Sequence, residues 1–259
     1  MPTIDKKKQV AIITGAGVGI GYEICSLLAQ NGYAIVLNDL SEELTKRAVE
    51  AIRSQNGLCV GVYGDASNPE IIKNLIQAAL DHYGKLSAII ANAGVTVYGD
   101  FLSYSPENLN EILKTNIAGS FFLAQAAAKQ FIQQKSNGSI LFMSSVTGHQ
   151  AHRNLVAYGM TKAALEMLAK GLVAELSPHK INVNAIAPGA TLTERTQQFP
   201  DYGQIWSEVT PLGRPAYTTD IAAAAKFLIS EDAKHITGQT LVIDGGWTAV
   251  SPLPPPAST

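Results

Sequence analysis

Tyr158 and Lys162 stand four residues apart in the string YGMTK, inside a stretch that reads as a helix. At that spacing two side chains share one helix face. An ammonium held near a phenol favours the phenolate. Free tyrosine titrates near ~10, too high for acid–base work at neutral pH. A shift of ~3 units needs about 4 kcal/mol of preference for the anion. A cation ~4 Å away at an effective dielectric of ~20 supplies roughly that much before desolvation is subtracted. The pair is a candidate proton donor and acceptor. Thirteen residues upstream, Ser145 ends an apolar run that predicts a strand. A YxxxK string occurs on many helices, so its weight depends on the elements that hold it.

The N-terminal run VAIITGAGVGIG, from Val10 to Gly21, supplies such an element. Val10 to Ile13 suit a buried strand. Gly15, Gly17, Gly19 and Gly21 mark a turn, and Ile20, Ile24, Leu27 and Leu28 follow at helical spacing. Strand, glycine turn and helix together make the context of a dinucleotide-binding turn. Glycines let the backbone approach a pyrophosphate, and the helix N-terminus offers free N–H groups. Asp39 closes the next apolar run, eighteen residues after Gly21, near the distance expected of a ribose-binding carboxylate. It would repel a 2′-phosphate, and no Arg or Lys occurs from Thr14 through Thr45. NAD is therefore expected over NADP.

The 259 residues are 46% hydrophobic and 15% charged, with a net charge of −2 and the signs interspersed. That suits one well-buried core over residues 1–250 and argues against a nucleic-acid face. Lys6-Lys7-Lys8 is a small solvated charge run. Cys25 and Cys59 form neither a disulfide framework nor a metal pattern. A cytoplasmic protein without resident metal is expected. No leader pattern opens the sequence and no apolar run reaches membrane-spanning length.

Seven strands are predicted, at Val10–Thr14, Ala34–Asn38, Leu58–Tyr63, Leu86–Ala91, Ser139–Ser144, Ile181–Ile186 and Thr240–Asp244. They alternate with helices near Gly19–Asn31, Ser41–Asn56, Pro69–Tyr83, Pro106–Gln134, Val156–Leu176 and Thr219–Ser230. Ser41, Asn68-Pro69 and Ser105-Pro106 are helix-start signals. The pattern is that of an α/β, doubly wound parallel sheet of Rossmann type, with helices on both faces and a single domain. The proline-rich tail at 251–259 is expected to lie extended.

Taken together, these residues resemble the classical short-chain dehydrogenase/reductase family from about Val10 to Gly246. The family's glycine turn TGxxxGxG is matched from Thr14 to Gly21, including Ile20. The family residue facing the adenine ring matches Asp65, followed by Ala66, in GDAS. NNAG is matched by Ala91-Asn92-Ala93-Gly94, with Ala91 in place of the first Asn. The catalytic Asn, Ser, Tyr and Lys match Asn116, Ser145, Tyr158 and Lys162. The turn after the sixth strand matches Pro188-Gly189, with Thr193 four residues on and Thr191 where an aliphatic residue is usual.

The resemblance implies hydride transfer between a secondary alcohol or ketone and the nicotinamide. Tyr158 would move the hydroxyl proton, and Lys162 would assist it and hold the nicotinamide ribose. Ser145 would bond the substrate oxygen. Asn116 would bend a helix and hold a water leading from Lys162 to solvent. The segment 191–214 would cover the substrate, with Phe199, Tyr202 and Trp206 as aromatics that close on it. Homotetramers built on the Tyr158–Leu176 helix and the last strand are common in the family.

Polar loop residues at the rim, above all Thr147 and His152, are candidate substrate contacts, with His149, Arg153, Tyr98 and Thr96 as further ones. They favour a sugar or polyol dehydrogenase similar to glucose 1-dehydrogenases. A 3-oxoacyl-[acyl-carrier-protein] reductase is the alternative within enzymes. A non-catalytic NAD(H)-binding regulator is the alternative outside them, and it would not need Ser145, Tyr158 and Lys162 together.

Overall fold

A computed structural model describes residues 8–250; the proline-rich tail and most of the lysine run lie outside them. Strands β1 (Val10–Ile13), β2 (Ala34–Asp39), β3 (Leu58–Tyr63), β4 (Ala88–Ala91), β5 (Gly138–Met143) and β6 (Ile181–Pro188) are followed by a short β7 (Thr191–Leu192) and β8 (Ala216–Tyr217), and then by β9 (Thr240–Ile243). Seven of them form one parallel sheet in the order β3-β2-β1-β4-β5-β6-β9.

Alternate side chains of each strand enter opposite cores. Val10 and Ile12 of β1, with Ile140 and Phe142 of β5, face one core; Ala11, Ile13, Leu141 and Met143 face the other. The first core packs under α3 (Pro69–Tyr83), α5 (Ser120–Gln133) and α6 (Val156–Leu176). The second packs under α1 (Gly19–Gln30), α2 (Glu42–Ser54) and α8 (Thr218–Ile229).

Helix starts follow local chemistry. Ser41 accepts a hydrogen bond from Leu44 N (3.3 Å), and Asn68 accepts one from Glu70 N (2.9 Å) ahead of Pro69. Gly84, at φ 75°, ends α3. At α8, Asp220 accepts from Tyr217 N (2.8 Å) and pairs with Arg214 at 2.7 Å.

Two expectations need correction. The single helix expected over Pro106–Gln134 is α4 (Pro106–Ile112), a π-helical stretch Leu113–Gly119, and then α5. The widened turn brings Asn116, which is fully buried, to Val95: its Oδ1 accepts from Val95 N (2.8 Å) and its Nδ2 donates to Val95 O (3.0 Å). The strand expected from Leu86 begins at Ala88. The segment 191–214 holds β7, which pairs with β8, and α7 (Tyr202–Val209). Two-residue strands carry no periodicity from which to read them.

Strand order reverses between β1 and β4, because the chain runs outward to β3 before returning. Crevices for ligands open at such switch points, beyond the carboxyl ends of the strands.

Candidate active site

The glycine turn after β1 is tied to the end of β4. Thr14 N donates to Ile90 O (3.2 Å), and Thr14 Oγ1 accepts from Asn92 N (3.2 Å) and Ala93 N (3.1 Å). Asn92 Nδ2 donates back to Thr14 O (2.9 Å) and Gly15 O (2.8 Å). Gly15 sits at φ +60°, and a Cβ there would come within 2.8 Å of Ala93 Cα.

From this turn one crevice runs over β2. Gly15, Asp39, Asp65, Ala66, Asn92, Ala93 and Gly94 line a space of about 450 Å³. Asp39 accepts from Gly17 N (2.9 Å) through Oδ2 and from Ser41 N (3.0 Å) through Oδ1. Asp65 accepts from Ser67 N (2.8 Å) and Ser67 Oγ (2.6 Å), and it pairs with Lys114 at 2.9 Å. Burial alone would raise the Asp65 pKa, but the Ser67 and Lys114 bonds outweigh it and hold the carboxyl below its ordinary range. Lys114 was not expected here: it is 49 residues from Asp65 and only the fold brings them together.

The other crevice, about 310 Å³, opens past β4, β5 and β6. Ile20, Asn92, Gly94, Ser145, Thr147, His152, Tyr158, Lys162, Pro188, Gly189, Thr191 and Thr193 all line it. Asn92 and Gly94 belong to both spaces and join them. Gly17, Gly19 and Asn116 line neither. Gly17 holds Asp39, Gly19 takes φ +63° at the start of α1, and Asn116 lies behind the wall.

The neighbouring serines differ. Ser144 is buried, and its Oγ donates to Glu166 Oε1 (2.7 Å) and lies 3.0 Å from Lys162 O. Ser145 lines the crevice and caps a 3-10 turn, its Oγ accepting from Thr147 N at 3.3 Å. Lys162 is 3% exposed; its Nζ donates to Met143 O (2.7 Å) and lies 5.4 Å from the centroid of the Tyr158 ring. An ammonium has three donors, and one of them is used by Met143. Asn116 Nδ2 donates to Thr161 Oγ1 (3.1 Å), whose hydroxyl donates to Tyr158 O (2.7 Å). The π-helical turn is thereby fastened to the first turn of α6.

Around the rim, Thr96, Tyr98, Tyr202 and Trp206 line the crevice. Phe199 does not; it is 59% exposed, contrary to the expectation that it closes on substrate. His149 instead lies 3.3 Å from Glu166, and Arg153 is exposed. Trp247 and Arg195 line the crevice without having been anticipated. A lone tryptophan after the Gly245-Gly246 turn was the only sign of the first.

The family described as enoyl-(acyl carrier protein) reductase matches residues 15–248. The chain is 33% identical over 251 residues to a diacetyl reductase [(S)-acetoin forming] of Staphylococcus epidermidis, covering 92% of this chain and 98% of that protein. The chain belongs to the short-chain dehydrogenase/reductase family. Among solved structures, the 3-ketoacyl-(acyl-carrier-protein) reductase of Brucella melitensis complexed with NADH superposes with a TM-score of 0.87 at 29% identity, over 94% of this chain and all of that one. A gluconate 5-dehydrogenase of Burkholderia cenocepacia, in complex with NADP and tartrate, superposes with the same score and identity over 94% and 96%.

Like other short-chain dehydrogenase/reductases, the protein uses a nicotinamide cofactor to interconvert alcohols and ketones. Its joined crevices fit such a dinucleotide. A Cβ at Gly94 would project to 3.2 Å from Asn116 Oδ1 and 3.4 Å from Lys162 Nζ, so glycine keeps the junction open beside the ammonium. Among the described residues no helix is long and apolar enough to cross a membrane, and no cluster of three or more His, Cys, Asp or Glu could hold a metal.

Proposed function

We propose that the protein interconverts a small hydroxylated secondary alcohol and its ketone with NAD(H), using Tyr158 as the acid–base group. The observation that carries this reading is one crevice lined by Ser145, Tyr158 and Lys162, continuous through Asn92 and Gly94 with the crevice of Asp39. When bound, the nicotinamide supplies the hydride acceptor or donor. In oxidation the Tyr158 oxygen takes the hydroxyl proton; in reduction it returns it. The Lys162 ammonium lies beside the Tyr158 ring and has donors for the nicotinamide ribose. Ser145 donates to the substrate oxygen, where negative charge develops on the ketone side of the reaction. Asn116 holds this geometry through Val95 and Thr161. Segment 191–214 covers the substrate.

NAD is preferred because Asp39 presents a carboxylate whose two oxygens are already oriented by Gly17 N and Ser41 N. Each oxygen keeps a lone pair for a ribose hydroxyl, whereas a 2′-phosphate would face its charge. Lys114 lines the same crevice but is bound to Asp65. Gly15 and Ile20 take the pyrophosphate side, with Gly17 and Gly19 shaping the turn behind them, Asp65 and Ala66 the adenine, and Pro188, Gly189, Thr191 and Thr193 the nicotinamide side. The polar rim favours sugars, polyols or short hydroxyketones. The NADH-bound Brucella reductase keeps 3-oxoacyl-[acyl-carrier-protein] reduction as the second reading.

A homotetramer in the cytoplasm completes the reading. Phe121, Phe122, Met160 and Met167 on α5 and α6, and Leu241 and Val242 on β9, are exposed apolar side chains that such an assembly would cover. Light scattering at micromolar protein tests it.

The deciding experiment follows nicotinamide absorbance with alcohols, polyols, aldoses and β-keto esters, each with NAD(H) and NADP(H). Turnover of hydroxylated small molecules with NAD(H) is expected. Turnover of the β-keto esters alone would favour the second reading. Hydride transfer with none would leave a nicotinamide-binding protein without catalysis.

A further inference from the structure

Four rings in a row line the catalytic crevice. Tyr202 and Trp206 of α7 have ring centroids 6.1 Å apart, Trp206 meets Trp247 edge-on at 5.1 Å, and Trp247 stacks on His152 at 5.2 Å and 17°. Trp247 is firmly placed. Asp244, at the end of β9, accepts from Gly246 N (2.9 Å), Thr248 N (2.8 Å) and Thr248 Oγ1 (2.6 Å), clamping the residues on either side of it.

Two side chains that line this crevice carry a buried polar atom with no hydrogen-bond partner: Thr147 Oγ1 and His152 Nε2. Leaving such atoms unpaired costs stability, so two in one crevice mark positions where a ligand is expected to bond. Burial also pushes the His152 pKa down, so its imidazole is neutral at neutral pH. The ring nitrogen of a neutral imidazole donates to or accepts from a hydroxyl according to tautomer. Thr147 stands on the same 3-10 turn as Ser145, and its N–H bonds the Ser145 hydroxyl. Thr147 and Ser145 thus reach the crevice from one turn. At about 310 Å³ the crevice is near the small end of ligand sites, and the four rings line it.

Resting on the alcohol–ketone reading above, we propose that Thr147 and His152 form a subsite for a second substrate oxygen, adjacent to the reacting one. The substrates are compact vicinal diols and α-hydroxyketones, their carbon face packed on Trp206 and Trp247. A monofunctional alcohol leaves both polar atoms unpaired and is discriminated against.

The test compares 2,3-butanediol with 2-butanol, both oxidised with NAD by the full chain, in the wild type and in Thr147→Val and His152→Phe. Valine preserves the side-chain shape, and phenylalanine preserves the stack on Trp247. NAD binding by fluorescence reports that each variant is folded. The wild type is expected to favour the diol in kcat/KM by about tenfold or more, the size expected when a site built to bond a hydroxyl meets an analogue lacking it. Each substitution is expected to cut that diol-to-alcohol ratio by about tenfold. A wild-type ratio near one, or a ratio preserved in both variants, overturns the subsite. Turnover of neither butanol compound, with hydride transfer to other members of the panel, overturns it too while the alcohol–ketone reading stands. Hydride transfer to no compound at all removes that reading itself.

Discussion

Lys162 couples structure to chemistry more tightly than any other side chain of the site. An ammonium only 3% exposed is tolerated where hydrogen bonds and nearby acceptors replace water, and Met143 O supplies one of them. Its Nζ lies 5.4 Å from the centroid of the Tyr158 ring, and both side chains line the same crevice. Tyr158→Phe is therefore expected to leave NAD affinity near wild type and to lower kcat by about 10²-fold or more. Retention of more than about a tenth of the activity would refute the acid–base assignment. At the other end of the dinucleotide, Asp39→Ala is expected to weaken NAD and relax discrimination against NADP. Unchanged affinity for both cofactors, measured by titration, would remove the ribose contact. Ser145 was legible in the sequence as the end of an apolar run, and its role only through resemblance. That its neighbour Ser144 turns inward to Glu166 follows from the packing of α6 on β5.

At the scale of elements, the glycine turn works because backbone and side chain exclude alternatives together. Gly15 occupies a left-handed conformation that costs an L-residue about 1–2 kcal/mol. Its missing Cβ would also press on Ala93 Cα at 2.8 Å, which is backbone and cannot swing aside. Gly15→Ala is expected to lower the melting temperature by at least a few degrees and to raise the KM for NAD, because β1 and β4 must part. An unaltered melting temperature and KM would show that the turn tolerates a side chain. Helix starts were readable from Ser41, Asn68-Pro69 and Ser105-Pro106, since capping is a local interaction. The π-helical turn was not readable, because Asn116 is drawn to Val95, twenty-one residues away in sequence.

For the whole molecule, the titrating groups define a plateau of stability. Burial depresses the His152 pKa, so its contribution is present above the ordinary histidine value of about 6.5 and is lost as pH falls through the folded value. For Asp220 the Arg214 bond is the leading cause of a lowered pKa; for Asp65 and Asp244, hydrogen bonds overcome burial to the same effect. Their contributions are present above about pH 4 and are lost below it. On the alkaline side, burial raises Cys25 and pushes Cys59 up to about 12. Their contributions are present below the ordinary thiol value of about 8.5 and are lost as pH rises beyond it. Denaturant unfolding across pH is expected to give greatest stability between about 6.5 and 8.5. His152→Phe is expected to remove the first acid loss. An acid limb beginning at the same pH in that variant would assign it elsewhere.

What the amino-acid sequence determined alone is everything that depends on near neighbours along the chain. That includes the alternation of strands and helices, the glycine turn, the YxxxK face, Asp39 at the end of β2 and the caps that start α2, α3 and α4. Each is set by periodicity or by groups a few residues apart. What the tertiary structure decided is which distant groups meet: Lys114 with Asp65, Asn116 with Val95, and above all Trp247 with His152 and Trp206. Those contacts arise because the parallel sheet brings the carboxyl ends of β1, β4, β5, β6 and β9 to one edge. Side chains more than a hundred residues apart then share a crevice, and no spacing along the chain encodes that meeting.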